Sequence, residues 1–318
     1  MNKIRLKNKL NESVVRRGLF FIAMVFFGFI FNYLLHYFAS GALNLHEFGI
    51  FYESIVIVNL ATVPAIVFGM YFTRYVANIK DKEKASAEII NYISIIKRKG
   101  IKVLLVLILV IISISIFIKI KALLLYLIIV PVIYGSYLKE ALISAFEAAN
   151  KMVFTGVFIM SMLFLRFLFG VSFLIIGGTV WFGMLGIMVS YYLTFFIFYR
   201  YLAADGFSGA PNFKIELWNM KSFILSFSVV SLIMYLDIVL AYFVLDAAEL
   251  SMYASSSVLP KGLLLFTLPL TKVIYPMIAS NNLPHTKNYW SIVLKMLGIM
   301  LFVSISGTAV LIFFSELF

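Results

Sequence analysis

Helix-length apolar stretches follow one another along almost the whole chain, and the positive charges between them fall almost entirely on alternate loops. A run of about 20 apolar residues spans a bilayer, because an α-helix satisfies its own backbone hydrogen bonds where water is absent. Hydrophobic residues make up 63% of the 318 and charged residues only 13%. Soluble domains are closer to half apolar and a quarter charged. The pattern predicts an all-α, polytopic integral membrane bundle of about nine transmembrane helices.

The predicted spans lie near Gly18–Ser40, Phe48–Tyr71, Ile101–Ile118, Ala122–Ala145, Val153–Ile176, Thr179–Tyr199, Ser222–Val244, Met252–Ser280 and Trp290–Phe314. Of the 26 Lys and Arg, twenty fall on one side of this arrangement. They sit in the N-terminal tail, the Arg74–Lys102 region, a fourth loop with Lys139 and Lys151, a sixth with Arg200, Lys214 and Lys221, and an eighth with Lys287. Only Lys119 and Lys121 fall on the other side, and Arg166, Lys261, Lys272 and Lys295 fall within spans. The positive-inside rule then puts the N-terminus in the cytoplasm of a cytoplasmic (inner) membrane. The formal charge of +12 is largely topological, facing anionic headgroups of membrane lipids, and calls for no nucleic-acid partner. Cysteine is absent, so thiol chemistry and disulfides are too. The first apolar stretch follows a basic tail but is too long for a signal-peptide core, and reads as a retained span.

Three segments break the monotony. Residues 77–100 hold Ala85, Ile89, Tyr92, Ile93 and Ile96 at helical spacing between basic ends, which predicts an amphipathic surface helix on the inner leaflet. Gly206, Gly209 and Pro211 mark a cytoplasmic linker, 203–217, between a six-helix lobe, 1–202, and a three-helix partial lobe, 218–318. Shifting the chain by 202 residues lays Tyr33 on Tyr235, Ala39 on Ala241, Glu47 on Glu249 and Ala77 on Ala279 without a gap, which reads as an internal repeat. Like-oriented repeats related by an axis along the membrane normal are a common transporter plan.

Two stretches carry a family likeness. One is Leu45-His46-Glu47-Phe48-Gly49-Ile50-Phe51, followed at the span's end by Thr73-Arg74-Tyr75-Val76-Ala77. The other is Glu249-Leu250-Ser251-Met252-Tyr253-Ala254, leading to Thr271-Lys272-Val273-Ile274-Tyr275-Pro276. Both look like the hairpin between the first two helices of each lobe in the polysaccharide-flippase (Wzx-type) branch of the multidrug/oligosaccharidyl-lipid/polysaccharide (MOP) exporter superfamily, which the chain resembles. Such proteins usually have twelve to fourteen spans. This chain supplies a first lobe and about half of a second, and reads as either a partial chain or a short member.

Ionisable groups at bilayer depth are expensive and mark candidate sites. Lys261, nine residues into the eighth span and preceded by Pro260, reads as a cavity cation, or else as the partner of an acid. Its repeat counterpart is Asn59. Lys272, eleven residues on, shares its face and reads as the end of a basic track or as a snorkelling lysine. Arg166 lies mid-span, lining a cavity or bonding carbonyls. Arg74 and Arg17 sit at cytoplasmic helix ends, as topology charges or an anion-gathering entrance. Asp237 is positioned to neutralise Lys261 or to carry H⁺ or Na⁺. Glu53, one turn into the second span, and His36, near the outer end of the first, have interfacial readings beside functional ones.

The resemblance implies a lipid-linked saccharide carrying a diphosphate as substrate. The expected function is flipping of that lipid by alternating access around a cationic cavity, for surface polysaccharide biosynthesis. A glycan polymerase or glycosyltransferase is a possible partner. No paired carboxylates, histidine-rich metal set or phosphate loop point to an enzyme, a metal or any cofactor beyond a coupling ion. The rival readings are a cation-coupled multidrug exporter of the same superfamily and a non-transporting scaffold in a glycan-assembly complex.

Overall fold

The computed structural model describes residues 2–79, 81–118, 123–203 and 221–245, together with short pieces and single residues between 249 and 313. Every described element is a helix. They are α1 (Asn2–Ala42), α2 (Leu45–Ala77), α3 (Lys82–Ile118), α4 (Leu123–Ala148), α5 (Met152–Gly177), α6 (Val180–Ala203) and α7 (Lys221–Val244). Five of them, α1, α2, α4, α5 and α6, contain stretches long and apolar enough to cross a membrane. The chain is a multi-pass membrane protein. Of the eighth and ninth predicted spans only isolated positions are described. Lys272, Lys295, Lys119, Lys121 and the linker residues 204–217 lie outside the described residues.

Short polar signals set the turns. Asn44 caps α2: its side chain accepts the Glu47 N–H at 2.9 Å, and its amide reaches back to the Glu47 carboxylate at 3.3 Å. This satisfies N–H groups that the first turn leaves unpaired, and puts Glu47 at the positive end of the helix dipole. Asp81 does the same for α3, accepting from Glu83 N at 2.9 Å. Between α5 and α6 the chain turns at Gly178, whose φ of 62° closes a bond to the Leu174 carbonyl at 2.8 Å.

The helices pack as α1 on α5, α5 on α6, α6 on α4, α4 on α2 and on α3, and α2 on α7. Two clusters form the interior. One joins Leu35, Phe48, Phe51, Ile55, Met162, Leu174, Met184 and Ile187; the other joins Phe72, Ile93, Leu142, Phe146, Phe158 and Leu202. Backbones approach most closely where α6 crosses α5. A Cβ at Gly186 would collide with the Phe169 carbonyl and lie 2.8 Å from Gly170 Cα. The outer face is apolar: Phe20, Phe26, Phe27, Ile30 and Phe38 of α1 and Phe164, Leu168 and Ile175 of α5 are exposed, as a lipid-facing surface requires.

Three expectations change. The amphipathic stretch is not a separate helix on the leaflet but the first half of the 37-residue α3. Its apolar stripe faces protein: Ile89, Tyr92 and Ile93 are buried against α2 and α4, and the Tyr92 ring stacks on Phe72 at 4.0 Å. Helical periodicity reports a buried face without saying what buries it. Lys139 is no loop residue; it lies inside α4, nine residues before that helix ends at Ala148. Glu53 is eight residues into α2, two turns rather than one, because the Asn44 cap starts the helix ahead of its apolar run.

Two stability tests follow from this packing. Ile93→Ala should destabilise the protein by about 2–5 kcal/mol in detergent micelles, where no bilayer is present; a leaflet-facing residue would show no such loss. Gly186→Val should cost about 1–3 kcal/mol in the same unfolding measurement, through overpacking against the α5 backbone.

Candidate functional site

The polar interior is built where α2 meets α7 and the residues that follow it. On α2, Tyr52, Val56 and Asn59 recur at helical spacing and so share one face. On α7, Tyr235 and Ile238 do the same. Tyr52, Val56 and Ile238 bury one another, flanked by Leu60 and Tyr235. The four-residue spacing of Tyr253, Ser257 and Lys261 aligns those three side chains as well. Tyr52 and Ser257 hydroxyls lie 3.2 Å apart.

Lys261 and Asp237 are paired. The Lys261 ammonium lies 2.9 Å from both carboxylate oxygens, and the Tyr253 hydroxyl donates to the same carboxylate at 3.1 Å. The lysine side chain is 16% exposed and the aspartate 34%, so the pair is sheltered rather than sealed. Of the two readings open for Lys261, partner of an acid is the one the geometry displays. Truncating either partner should leave the other charge poorly solvated. A double-mutant cycle of Lys261→Ala and Asp237→Ala should report a coupling of about 1–3 kcal/mol, between exposed and buried pairs.

Arg166 lies on α5. It is 6% exposed, and its Nε has no hydrogen-bond acceptor among the described residues. Groups from three other helices lie within electrostatic reach of its guanidinium: His36 of α1, Lys139 of α4 and Tyr235 of α7. Lys139 is neutralised by its neighbour Glu140 at 2.8 Å and lies over the Tyr191 ring of α6 at 5.8 Å. His36 is 7% exposed, and its Nδ1 likewise lacks a partner among the described residues. Its ring packs edge-on against Tyr52 at 5.5 Å.

The remaining sequence candidates are dispersed. Glu53 faces a separate cleft with His46, Ser54, Leu125, Tyr126 and Leu245. Arg74 is exposed in the last turn of α2, where a cation complements the helix dipole, about 33 Å along the helix from Tyr52. Arg17 is exposed on α1. Among the described residues no three His, Asp or Glu side chains converge as a metal site would require. The sequence reading passed over Lys139, Glu140, Tyr52, Tyr235 and Tyr253. Its missed signal was the adjacent Lys139–Glu140 pair, two opposite charges within one apolar helix.

No protein-family profile matches the chain, and no curated protein matches it in sequence. Solved structures do resemble it. A MATE in complex with MaD5 superposes with a TM-score of 0.69 at 14% identity, covering 95% of this chain and 73% of that one. A MOP superfamily transporter from Pyrococcus furiosus, described as having a binding pocket of reverse polarity that suggests a different function, gives 0.65 at 14%, covering 95% and 72%. A MATE in complex with Br-NRF gives 0.60 at 14%, covering 94% and 75%. At this identity the likeness is one of fold: the chain has the helical architecture of MATE and MOP-superfamily transporters.

Proposed function

We propose that this protein is a transporter of the cytoplasmic membrane that flips a lipid-linked, diphosphate-bearing saccharide by alternating access, with its N-terminus in the cytoplasm. The observation that carries the reading is Arg166, a buried residue whose Nε has no hydrogen-bond partner among the described residues. Lys139 and Lys261 are each matched by one carboxylate, whereas no carboxylate pairs with Arg166 among the described residues. A buried unpaired charge is costly, and an anionic ligand relieves that cost. A diphosphate offers charge-assisted hydrogen bonds to such a group, while the isoprenoid tail stays in lipid. Two lobes rocking about residues such as Asn59 and Lys261 would expose the headgroup to each side in turn, with Asp237 or Glu53 carrying a coupling H⁺ or Na⁺. Lys272, Arg74 and Arg17 would gather the headgroup at the cytoplasmic end.

Export of cationic drugs is the second reading. It is favoured by the half-sheltered carboxylate of Asp237, which could exchange Lys261 for another cation.

The test is flipping of a fluorescent lipid-diphosphate oligosaccharide in proteoliposomes, read by its accessibility to an impermeant quencher. Arg166→Gln should slow flipping at least tenfold, about 1.4 kcal/mol, and Arg166→Lys should retain part of it. An unchanged rate in Arg166→Gln sinks the cationic-site reading. Uptake of a cationic dye without lipid flipping favours the drug exporter, and neither activity favours a scaffold beside a polymerase or glycosyltransferase.

A further inference from the structure

We infer that the cleft at the end of the bundle where α2 begins binds a small organic cation, an ammonium carrying alkyl groups, with the Glu53 carboxylate as its counter-charge. The inference goes beyond the transport reading and does not depend on it. The cleft is separate from Arg166 and from the Lys261–Asp237 pair, none of which lines it.

The cleft has a volume of about 380 Å³, within the range of about 300–1,000 Å³ in which small-molecule sites fall. Its apolar walls come from three places. Ile50 and Ile57 belong to α2, Leu125 and Ile129 to α4, and Leu245 and Leu250 to the end of α7 and the segment after it. Tyr126 of α4 adds an aromatic ring. On α2, His46, Gly49 and Glu53 follow one another at intervals of three and four residues, and so share one helix face. Gly49 puts no side chain between the other two, which leaves room along that face. His46 is exposed and Glu53 half-buried.

Glu53 is the informative residue. It lies two turns inside a membrane-spanning helix, where a carboxylate is expensive and normally pairs with a cation. The carboxylates of Glu140 and Asp237 have such partners. That of Glu53 makes no hydrogen bond or ion pair among the described residues, and no described lysine or arginine lines the cleft. The lining selects the chemistry of the missing cation. An anion is repelled by the carboxylate. A hard metal ion takes about six oxygen ligands or more, which one carboxylate among isoleucines and leucines does not supply. A sugar would leave its hydroxyls against the same apolar walls without partners. An alkylammonium needs a single counter-charge, buries its carbons against aliphatic side chains and gains further from an aromatic ring near its charge. Because the walls belong to α2, α4 and the end of α7, the occupant touches all three and ties the α2–α7 contact to α4.

Choline and 3,3-dimethylbutan-1-ol are the probes that test this, since they differ only in a cationic nitrogen or a neutral carbon at the branch point. Binding is read by saturation-transfer NMR on the purified full chain in a detergent without a choline headgroup. Wild-type protein should bind choline about tenfold or more tighter than the alcohol. Glu53→Gln should erase that preference and keep the alcohol's affinity, which also shows that the cleft still folds. A diazirine-bearing trimethylammonium locates the site on wild-type protein, where no variant has to fold. It should label residues within 45–57, 123–129 or 245–250. Equal affinity of wild-type protein for the two probes overturns the inference, as does no binding of choline or a choline preference that survives Glu53→Gln. Labelling confined to residues 252–261, beside the Asp237–Lys261 pair, overturns it too. Monomeric dihexanoylphosphatidylcholine decides the source of the ammonium. An affinity about tenfold or more above that of free choline assigns the cleft to a lipid headgroup, and no gain assigns it to a soluble ammonium; both uphold the site.

Discussion

The cost of holding charge away from water organises the interior of this protein. Polar groups in a bilayer must find partners within the chain, and the described helices supply them pairwise: Glu140 for Lys139 and Asp237 for Lys261. The two pairs differ in kind. Lys139 and Glu140 are neighbours on one helix and hold each other whatever the rest of the bundle does. Lys261 and Asp237 are 24 residues apart and tie α7 to the segment after it. Arg166 stands apart from both arrangements: it is buried, and its Nε has no hydrogen-bond partner among the described residues.

That burial depends on how closely backbones approach. Lipid tails are as apolar as leucine, so helices in a membrane gain little from burying hydrophobic surface and associate through packing and polar contacts. The chain meets this demand with Gly186 of α6 against Gly170 of α5, and with hydroxyls between helices. Thr62 of α2 meets Ser136 of α4 at 2.6 Å, and Thr73 reaches the Ser144 carbonyl at 3.3 Å. The result is one continuous bundle in which α1 packs on α5, α5 on α6, α6 on α4, and α4 on α2 and α3.

Much of this was legible in the residues. Apolar length located every helix from α1 to α7, because in lipid only a continuous helix satisfies its backbone. The closeness of Asp237 to Lys261 was readable too, since an acid and a base at similar depth in consecutive spans have few other partners. The α3 helix was legible as a periodicity but not in its surroundings, for Ile89 and Ile93 make the same stripe against protein as against lipid. Lys139 was misplaced because a Lys–Glu pair looks like the end of a span when charge is counted and pairing is not. The meeting of Arg166 with His36 was not legible at all. It depends on α1 lying beside α5, an order that no spacing along the chain encodes.

The contact between α2 and α7 is built differently from the rest. Among the described residues it comprises a small apolar cluster of Tyr52, Val56 and Ile238 and a hydroxyl pair between Tyr52 and Ser257. Such a polar contact is worth about 1 kcal/mol net, and its loss is softened when water or a headgroup enters the gap. Parting these surfaces leaves the Lys261–Asp237 pair whole, since both partners lie on the same side of the break. It leaves the α1–α5 and α5–α6 packing whole as well.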